Sequence, residues 1–532
     1  MRLSQLTFLL TDSVQYGLGD PDITSITADS RQVRPGTLFV AIFGLRVDGH
    51  EFIGQAAAQG AAAIVGELPP TESGALSGAE IPYLQVANSR SALAWLAAAW
   101  HDFPARKLTV IGVTGTDGKT TTGTLIAHIL RGAGRKVGLV TTVQADIGGH
   151  TLDTGLHVTT PDALDTQHYL AEMVKAGCEV AVLESTSHGL HQRRVDACEF
   201  DLAIVTNITH EHLDYHGTWD NYAAAKGILF QHLSASVEKG GTTKTAVLNA
   251  EDASFPLLDA ILSQGRSSLR RLTYGLQNGA VQAADITHAP DCTTFTLDLG
   301  HSIYDLGLAV DGLQTQITTR LIGDFNIYNI LAAACATLAL GVPLDVLRVA
   351  IASFDGVVGR MERLDEGQPF LAIVDFAHSP VSLQRALETV RPLVAPEGRL
   401  IAVFGSAGQR DRAKRYLMGH IGGRLADLTV ITAEDPRTEA IADISAEIAC
   451  GCQDAGGQEG ETYWRVDDRA AALAFACRLA RTGDVVIACG KGHERSMCFG
   501  TTEYPWSDHK AVQEALRQMG YAAPQGSTYP AA

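Results

Sequence analysis

Short apolar runs, each closing on polar or glycine residues, recur along most of this chain and alternate with stretches of helical character. Residues 108–111 run into Gly112-Val-Thr-Gly-Thr-Asp-Gly-Lys-Thr120, and 120–130 then reads as a helix. Residues 178–183 and 200–205 are further runs of strand length, with Glu184 and Asn207 at their ends. The pattern returns at 370–374, 400–404, 428–431 and 485–489. Strands alternating with helices predict parallel sheets in an α/β fold. Ligands of such sheets gather at the carboxyl ends of the strands. Earlier, Pro35-Gly36 marks a turn before a strand at 38–41, and helices are predicted over 56–63 and 92–100.

At 532 residues the chain is too long for one core, and its length suggests three domains. The sections fall at 1–104, 105–358 and 359–532. Hydrophobic content of 46% with 19% charged residues is that of a folded globular protein. No apolar run reaches the roughly 18 residues a membrane span needs. Residues 1–20 lack a basic start followed by an apolar core, so no secretory signal is read. The net charge of −18 argues against general nucleic-acid binding. The nine cysteines are scattered, and Cys450-x-Cys452 has no second pair at zinc spacing, which suits reduced thiols in a cytoplasmic protein. The stretch 522–532, with two prolines, a glycine and no periodicity, is expected to be disordered.

The strand–glycine loop–helix at 108–130 is the layout of a phosphate cradle. Its glycines let backbone N–H groups approach phosphate oxygens. Lys119 can reach terminal phosphates, and the Thr120 hydroxyl can hold Mg²⁺. The match to the usual pattern is incomplete, because Val113 stands where the first glycine belongs. Glu184, ending an apolar strand, suits the same ion, which takes hard oxygen ligands. In Thr209-His-Glu-His-Leu-Asp-Tyr-His216, alternation along an extended segment would put His210, His212, Asp214 and His216 on one face as zinc ligands, but such ligands more often come from separate elements. Lys226 lies on a predicted helix and, taken alone, reads as a solvated surface lysine. Asn326 and Asn329 share a helix face, where Asn can pair with an adenine edge or, at 326, cap the helix. Arg410 and Arg437 offer bidentate forks for a carboxylate or phosphate.

These pieces, in this order, resemble the Mur ligase family, and within it the branch that adds the third residue of the peptidoglycan stem. The motifs span nearly the whole chain. They are Asp29-Ser-Arg with Pro35-Gly-x-Leu-Phe-Val-Ala41, the loop at 115–120, Thr159-Thr-Pro161, Glu184-x-x-Ser-His188, Gln192-x-Arg194 and His212-Leu-Asp-Tyr-His-Gly217. Lys226, Gly359-Arg-Met-Glu-Arg363, Asp375-x-Ala-His378, Asp435-Pro-Arg437 and Gly490-Lys-Gly-His-Glu494 complete the series. The resemblance implies an N-terminal domain for a uridine nucleotide substrate, with Ser30 as a contact. It implies a central parallel-sheet ATPase domain binding ATP and Mg²⁺, and a Rossmann-like third domain for the incoming amino acid.

Residue by residue, it implies that Gly115, Thr116, Asp117, Gly118, Lys119, Thr120 and Thr121 hold phosphates. Thr120, Glu184, His212 and Lys226, the last as a carbamate, would serve the metal, and Lys119, Lys226, His212 and Glu184 would be catalytic. Asn326, Asn329, Arg360, Asp375 and His378 would meet the nucleotide. Thr159, Thr160, Ser187, Gln192 and Arg194 would meet the muramoyl-dipeptide, and Arg410, Asp435, Arg437, Gly490 and Glu494 the diamino acid. The implied reaction makes an acyl phosphate that the amine attacks, in a monomer working on small molecules.

Asp117 replaces the usual Asn, and Ser185-Thr186 the usual Val-Ser. Glu434-Asp-Pro-Arg437 stands where diaminopimelate-adding relatives carry Asp-Asn-Pro-Arg. Asp435 favours a bare ammonium, as in lysine or ornithine, while Arg437 and the Gly490–Glu494 loop favour meso-diaminopimelate, the reading preferred. A folylpolyglutamate synthase would share the phosphate loop but not need the 29–41 section. A noncatalytic nucleotide-binding module would not need Glu184, His212 and Lys226 together.

Overall fold

The computed structural model describes residues 1–44, 47–72, 81–152, 159–209, 213–266, 268–289, 292–305 and 312–522. The chain packs as two compact units. One comprises Met1–Ala284, Thr296–Ile317 and Ile327–Ile351, and the other Asp285–Phe295, Thr318–Asn326 and Ala352–Ala532. Among the described residues, no helix is long and apolar enough to cross a membrane. The predicted disordered tail lies outside the described residues from 523 onward.

The first unit holds two sheets. The smaller has five strands in the order Val14–Tyr16, Tyr83–Gln85, Ala63–Gly66, Thr37–Val40 and Ser25–Thr27, with only the first pair antiparallel. The helix predicted over 56–63 is shorter in the structure. It runs Ile53–Ala58, and Ala63 already opens a strand. The reason is Gly60, whose φ of +95° ends the helix and turns the chain back into the sheet. Ala56, Ala57 and Ala58 do lie in the helix, while Ala63 begins the strand Ala63–Gly66, which is buried throughout.

The larger sheet is centred on Thr109–Thr114, paired in parallel with Val180–Glu184 on one side and Leu202–Val205 on the other. Val137–Val140 and Thr245–Asn249 extend it in parallel. The register sets Glu184 opposite Val113 and Val205 opposite Thr114, so the three central strands end at one level. At the opposite edge, Asp201 is fully buried. Its carboxylate accepts bonds from the Val110 amide at 2.8 Å, Lys239 Nζ at 2.7 Å and Lys244 Nζ at 3.0 Å.

The second unit is built on a six-stranded sheet in the order Glu362–Leu364, Leu371–Asp375, Val485–Cys489, Leu400–Phe404, Leu428–Ile431 and Tyr463–Arg465. All pairs are parallel except the first. Leu400, Ala402 and Phe404 pack under helices Pro380–Val390, Ala413–Leu425 and Ile441–Asp454. Ile401 and Val403 point the other way, against Arg469–Leu479 and Asp508–Gln518. Both faces are covered, which is why these strands read as unbroken apolar runs.

Asp201→Ala would leave two lysines at the buried amino edge without their shared counter-ion. It is expected to destabilise the first unit by about 3–5 kcal/mol, read by urea denaturation, and unchanged stability would contradict that role.

Candidate active site

In the first unit, the loop after Thr109–Thr114 turns through Gly115, with φ of +150°, and Gly118, with φ of +80°, into helix Lys119–Gly132. A side chain at 115 would strike Thr206 Oγ1, and one at 118 would strike the Asn329 amide. Both glycines are therefore required by space as well as by backbone angle. Asn207 anchors the loop from the neighbouring strand end. Its side chain accepts from the Asp117 amide at 3.1 Å and donates to the Asp117 carbonyl at 3.2 Å, and its carbonyl accepts from the Thr116 amide at 2.7 Å. Lys119 folds back to donate from Nζ to the Thr116 carbonyl at 2.7 Å. Thr121 is buried beside Thr120 on the helix's first turn.

Glu184 is buried at the end of its strand. One carboxylate oxygen accepts from the Thr120 hydroxyl at 2.9 Å and the Thr142 amide at 3.1 Å, and the other from the Thr142 hydroxyl at 3.2 Å. Thr142 in turn donates to Thr159 Oγ1 at 3.0 Å. The structure thus brings Thr120, Glu184 and Thr159 together, with Thr142 as a residue the sequence reading missed. Thr142 follows the short strand Val137–Val140, and this position at a strand's carboxyl end was the signal for it.

Lys226 overturns the surface reading made from its residue type. It lies on helix Trp219–Ala235 with 1% exposure, donates from Nζ to the Gly115 carbonyl at 2.5 Å, and sits 4.5 Å from the Tyr222 ring centre. The segment predicted as extended is helical at Leu213–His216. His212 itself, with His210 and Glu211, lies outside the described residues, as does the Asp214 side chain.

Beyond Glu184, Thr160 Oγ1 donates to the Glu184 carbonyl at 3.0 Å, and Thr186 caps helix Ser187–His191, whose first residue Ser187 is buried. Arg194 donates to the Thr160 carbonyl and to Gln192 Oε1, both at 2.7 Å. Arg90, Asp162, Gln192 and Arg194 help line a recess beside them. Ser30 lies elsewhere in this unit, half-buried on the 3₁₀ turn Ser30–Gln32. Asn329 accepts from the Thr122 hydroxyl at 3.2 Å.

In the second unit, Asp375 ends its strand and accepts from the Met361 amide at 2.8 Å and the Ala377 amide at 2.9 Å. Arg360 stacks over the Phe376 ring at 4.7 Å, and the His378 ring lies 4.6 Å from the same ring. Asn326 is not the helix cap. It lies inside helix Asp324–Ala339 and donates to the Ile322 carbonyl at 2.8 Å. A second cluster forms where 428–431 and 485–489 end. Lys491 Nζ lies 2.8 Å from Asp435 Oδ1 and 2.5 Å from Glu494 Oε2. Gly490, with φ of +112°, lies against Glu434, where an added side chain would strike the carboxylate. Arg437 is half-buried and reaches the Gly408 carbonyl at 3.5 Å, while Arg410 is exposed.

Three family models match this chain. They are the Mur ligase family catalytic domain at 22–101, the Mur ligase middle domain at 113–337, and the Mur ligase glutamate ligase domain at 359–492. The chain is 42% identical to the UDP-N-acetylmuramyl-tripeptide synthetase of Roseiflexus sp. (strain RS-1), over 98% of this chain and 100% of that protein. This chain belongs to the Mur ligase family. It is 39% identical to the UDP-N-acetylmuramoyl-L-alanyl-D-glutamate–2,6-diaminopimelate ligase of Bacillus licheniformis, over 98% and 100% of the two chains. A solved ligase of that latter name superposes with a TM-score of 0.66 at 28% identity, over 94% and 96% of the two chains. The Thermotoga maritima MurF ligase in complex with ADP shares the fold, with a TM-score of 0.56 at 20% identity over 93% and 97%. The α/β architecture expected from the apolar runs is thus that of the Mur ligases.

Glu434, noted in the sequence only as a departure from the family motif, was not among the expected site residues of this Mur ligase. It is buried, and one carboxylate oxygen has no hydrogen-bond partner. Burial raises its carboxyl to about 7, against the nearby charges of Lys414, Arg469 and Lys491, with Glu494 adding to the rise. A carboxyl raised on folding stabilises the fold while protonated. That contribution is full below about 4.5 and is lost as pH rises through about 7. Between pH 5 and 8, wild type should therefore lose on the order of 2–3 kcal/mol relative to Glu434→Gln. Parallel stability curves in urea titrations across that range would refute this.

Proposed function

We propose that this Mur ligase is an ATP-dependent enzyme that joins a diamino acid, meso-diaminopimelate by preference, to UDP-N-acetylmuramoyl-L-alanyl-D-glutamate. The observation that carries the reading is the buried Glu184 carboxylate shared by Thr120 and Thr142, one strand from a glycine loop with Lys119 at its end. The names and full-length coverage of the relatives support the same substrates.

Glu184 and Thr120 form a buried, all-oxygen donor set, and this composition suits Mg²⁺. When bound, the ion would neutralise charge on the phosphates of ATP. The loop amides and helix N-terminus receive those phosphates, and Lys119 leaves the Thr116 carbonyl to meet the terminal one. Arg194, Gln192, Thr160, Thr159 and Ser187 hold the dipeptide end of the acceptor, and Ser30 its nucleotide end. The acceptor carboxylate attacks the γ-phosphorus, giving an acyl phosphate and ADP. The free amine of the diamino acid then attacks the acyl carbon and loses a proton. The tetrahedral intermediate collapses to the amide and inorganic phosphate.

Lys226 acts as a carbamate in this reading. Its Nζ lies at the Gly115 carbonyl, and addition of CO₂ with loss of two protons converts the ammonium to an anionic oxygen group at the loop. With His212, it completes the proposed metal-side set.

The deciding assay is phosphate release from ATP. It should require both the UDP-muramoyl-dipeptide and a diamino acid, and release with either one omitted would count against the reading. Lys119→Ala should lower kcat by about 100-fold or more, since it removes a charge aimed at the transferring phosphoryl group. Near-normal turnover would remove Lys119 from that role. Lys226→Ala should be nearly inactive and partly restored by formate, acetate or bicarbonate. Full activity in this variant would exclude a carbamate function.

A further inference from the structure

The recess beside Arg194 takes its lining from two sources. Gln192 and Arg194 follow helix Ser187–His191 of the larger sheet, whereas Arg90 comes from helix Ser89–Trp100, which packs on the smaller sheet. Burial weakens the hold of Arg194 on its proton, Asp162 opposes that, and the positive charge of Arg90 adds to the weakening. Two guanidiniums facing one recess repel, so a fixed frame has to keep them there.

The turn after Gln192 has the features of that frame. Arg193 sits at a φ of +59°, a region a non-glycine residue holds only when its surroundings enforce it. Its guanidinium lies 3.7 Å from Asp196 Oδ2. The Asp196 side chain is 6% exposed, and its Oδ1 lies 3.3 Å from Nε2 of His232, on the helix Trp219–Ala235 that also carries Lys226. Burial raises the Asp196 carboxyl, and His232, the Ser91 hydroxyl and Arg193 oppose that rise, in that order. Ser91 is the residue after Arg90, and its helix packs against the turn Asp196–Cys198. That turn belongs to both apolar cores. Val195 and Cys198 pack with the larger sheet, and Ala197 packs with the smaller. One carboxylate therefore meets the chain neighbours of Arg90 and of Arg194, and the helix of Lys226.

We propose that Asp196 is a positioning residue for the acceptor: it locks the helix carrying Arg90 to the turn carrying Gln192 and Arg194, so that both guanidiniums meet the anionic dipeptide end together. Asp196 itself does not line the recess. It acts through Arg193 and Ser91, the residues next to the ones that do. This rests on the ligase reading above. Without the lock, the two arginines move apart under their own repulsion, and a displacement of an ångström at such a site is costly.

The test is steady-state kinetics of the full-length enzyme with each substrate varied in turn. Asp196→Asn keeps the shape of the side chain and removes its charge. The KM for UDP-muramoyl-dipeptide should rise about tenfold or more, with the KM for ATP and for the diamino acid within about twofold and kcat within about threefold. Arg193→Asn tolerates the left-handed backbone but cannot reach Asp196, and it should show the same split. The Arg193 side chain is 40% exposed, so this variant carries the test if Asp196→Asn does not fold. A folded variant with the wild-type acceptor KM would overturn the proposal. So would a fall in kcat alone, or an equal rise in all three KM values, since either is what a merely structural residue would give. Wild type that releases no phosphate with the acceptor and any diamino acid would instead overturn the ligase reading beneath it.

Discussion

Parallel pairing of three strands at a common level is the constraint on which the first unit depends. Val113 lies opposite Glu184 and Thr114 opposite Val205, so three different stretches of sequence deliver their next residues to one edge. Those residues are Gly115, Ser185 and Thr206, and the side chains that meet there come from positions up to about ninety apart. Hydrogen bonds then lock what the register delivers. Asn207 and Thr206 grip the loop backbone at Asp117, and Thr120 closes onto Glu184. A slip of one residue in any of the three strands would turn each side chain to the opposite face of the sheet.

The second unit repeats the principle with different chemistry. Its strands end in buried charge instead of a glycine cradle. Arg469, fully buried, pairs with Asp508 and donates to the carbonyls of Ala433 and Cys489. Those carbonyls immediately precede Glu434 and Gly490, so one guanidinium ties together the roots of both loops that form the acidic cluster. Burying such a pair is costly, and the two carbonyl bonds offset part of that cost by satisfying donors the carboxylate does not reach.

Much of this was legible in the residues. The strands at 400–404, 428–431 and 485–489 fall where the apolar runs lie, and helix Lys119–Gly132 starts within a residue of the expected place. What the sequence did not reveal was long-range. The burial of Lys226 depends on its helix lying across the phosphate loop, which no local pattern encodes. Thr142 carries no motif of its own and matters because its strand ends beside Glu184. Lys491 lay in plain view within Gly-Lys-Gly-His-Glu, yet its partnership with Asp435 spans 56 positions. The alanine-rich stretch at 56–63 misled because alanine favours helix by propensity, while Gly60 and a place between two strands decided otherwise.

The burial of Asp201 at the far edge of the larger sheet divides that sheet between two tasks. The amino edge carries a charge network that secures the strands, and the carboxyl edge carries loops shaped for a ligand. For anyone reshaping the protein, the two ends are separate handles. Reinforcing the lysine–aspartate knot, or replacing it with well-packed apolar side chains, would raise tolerance to later substitutions without touching the ligand-facing loops. That reserve of stability is what a redesigned amino-acid preference would draw upon.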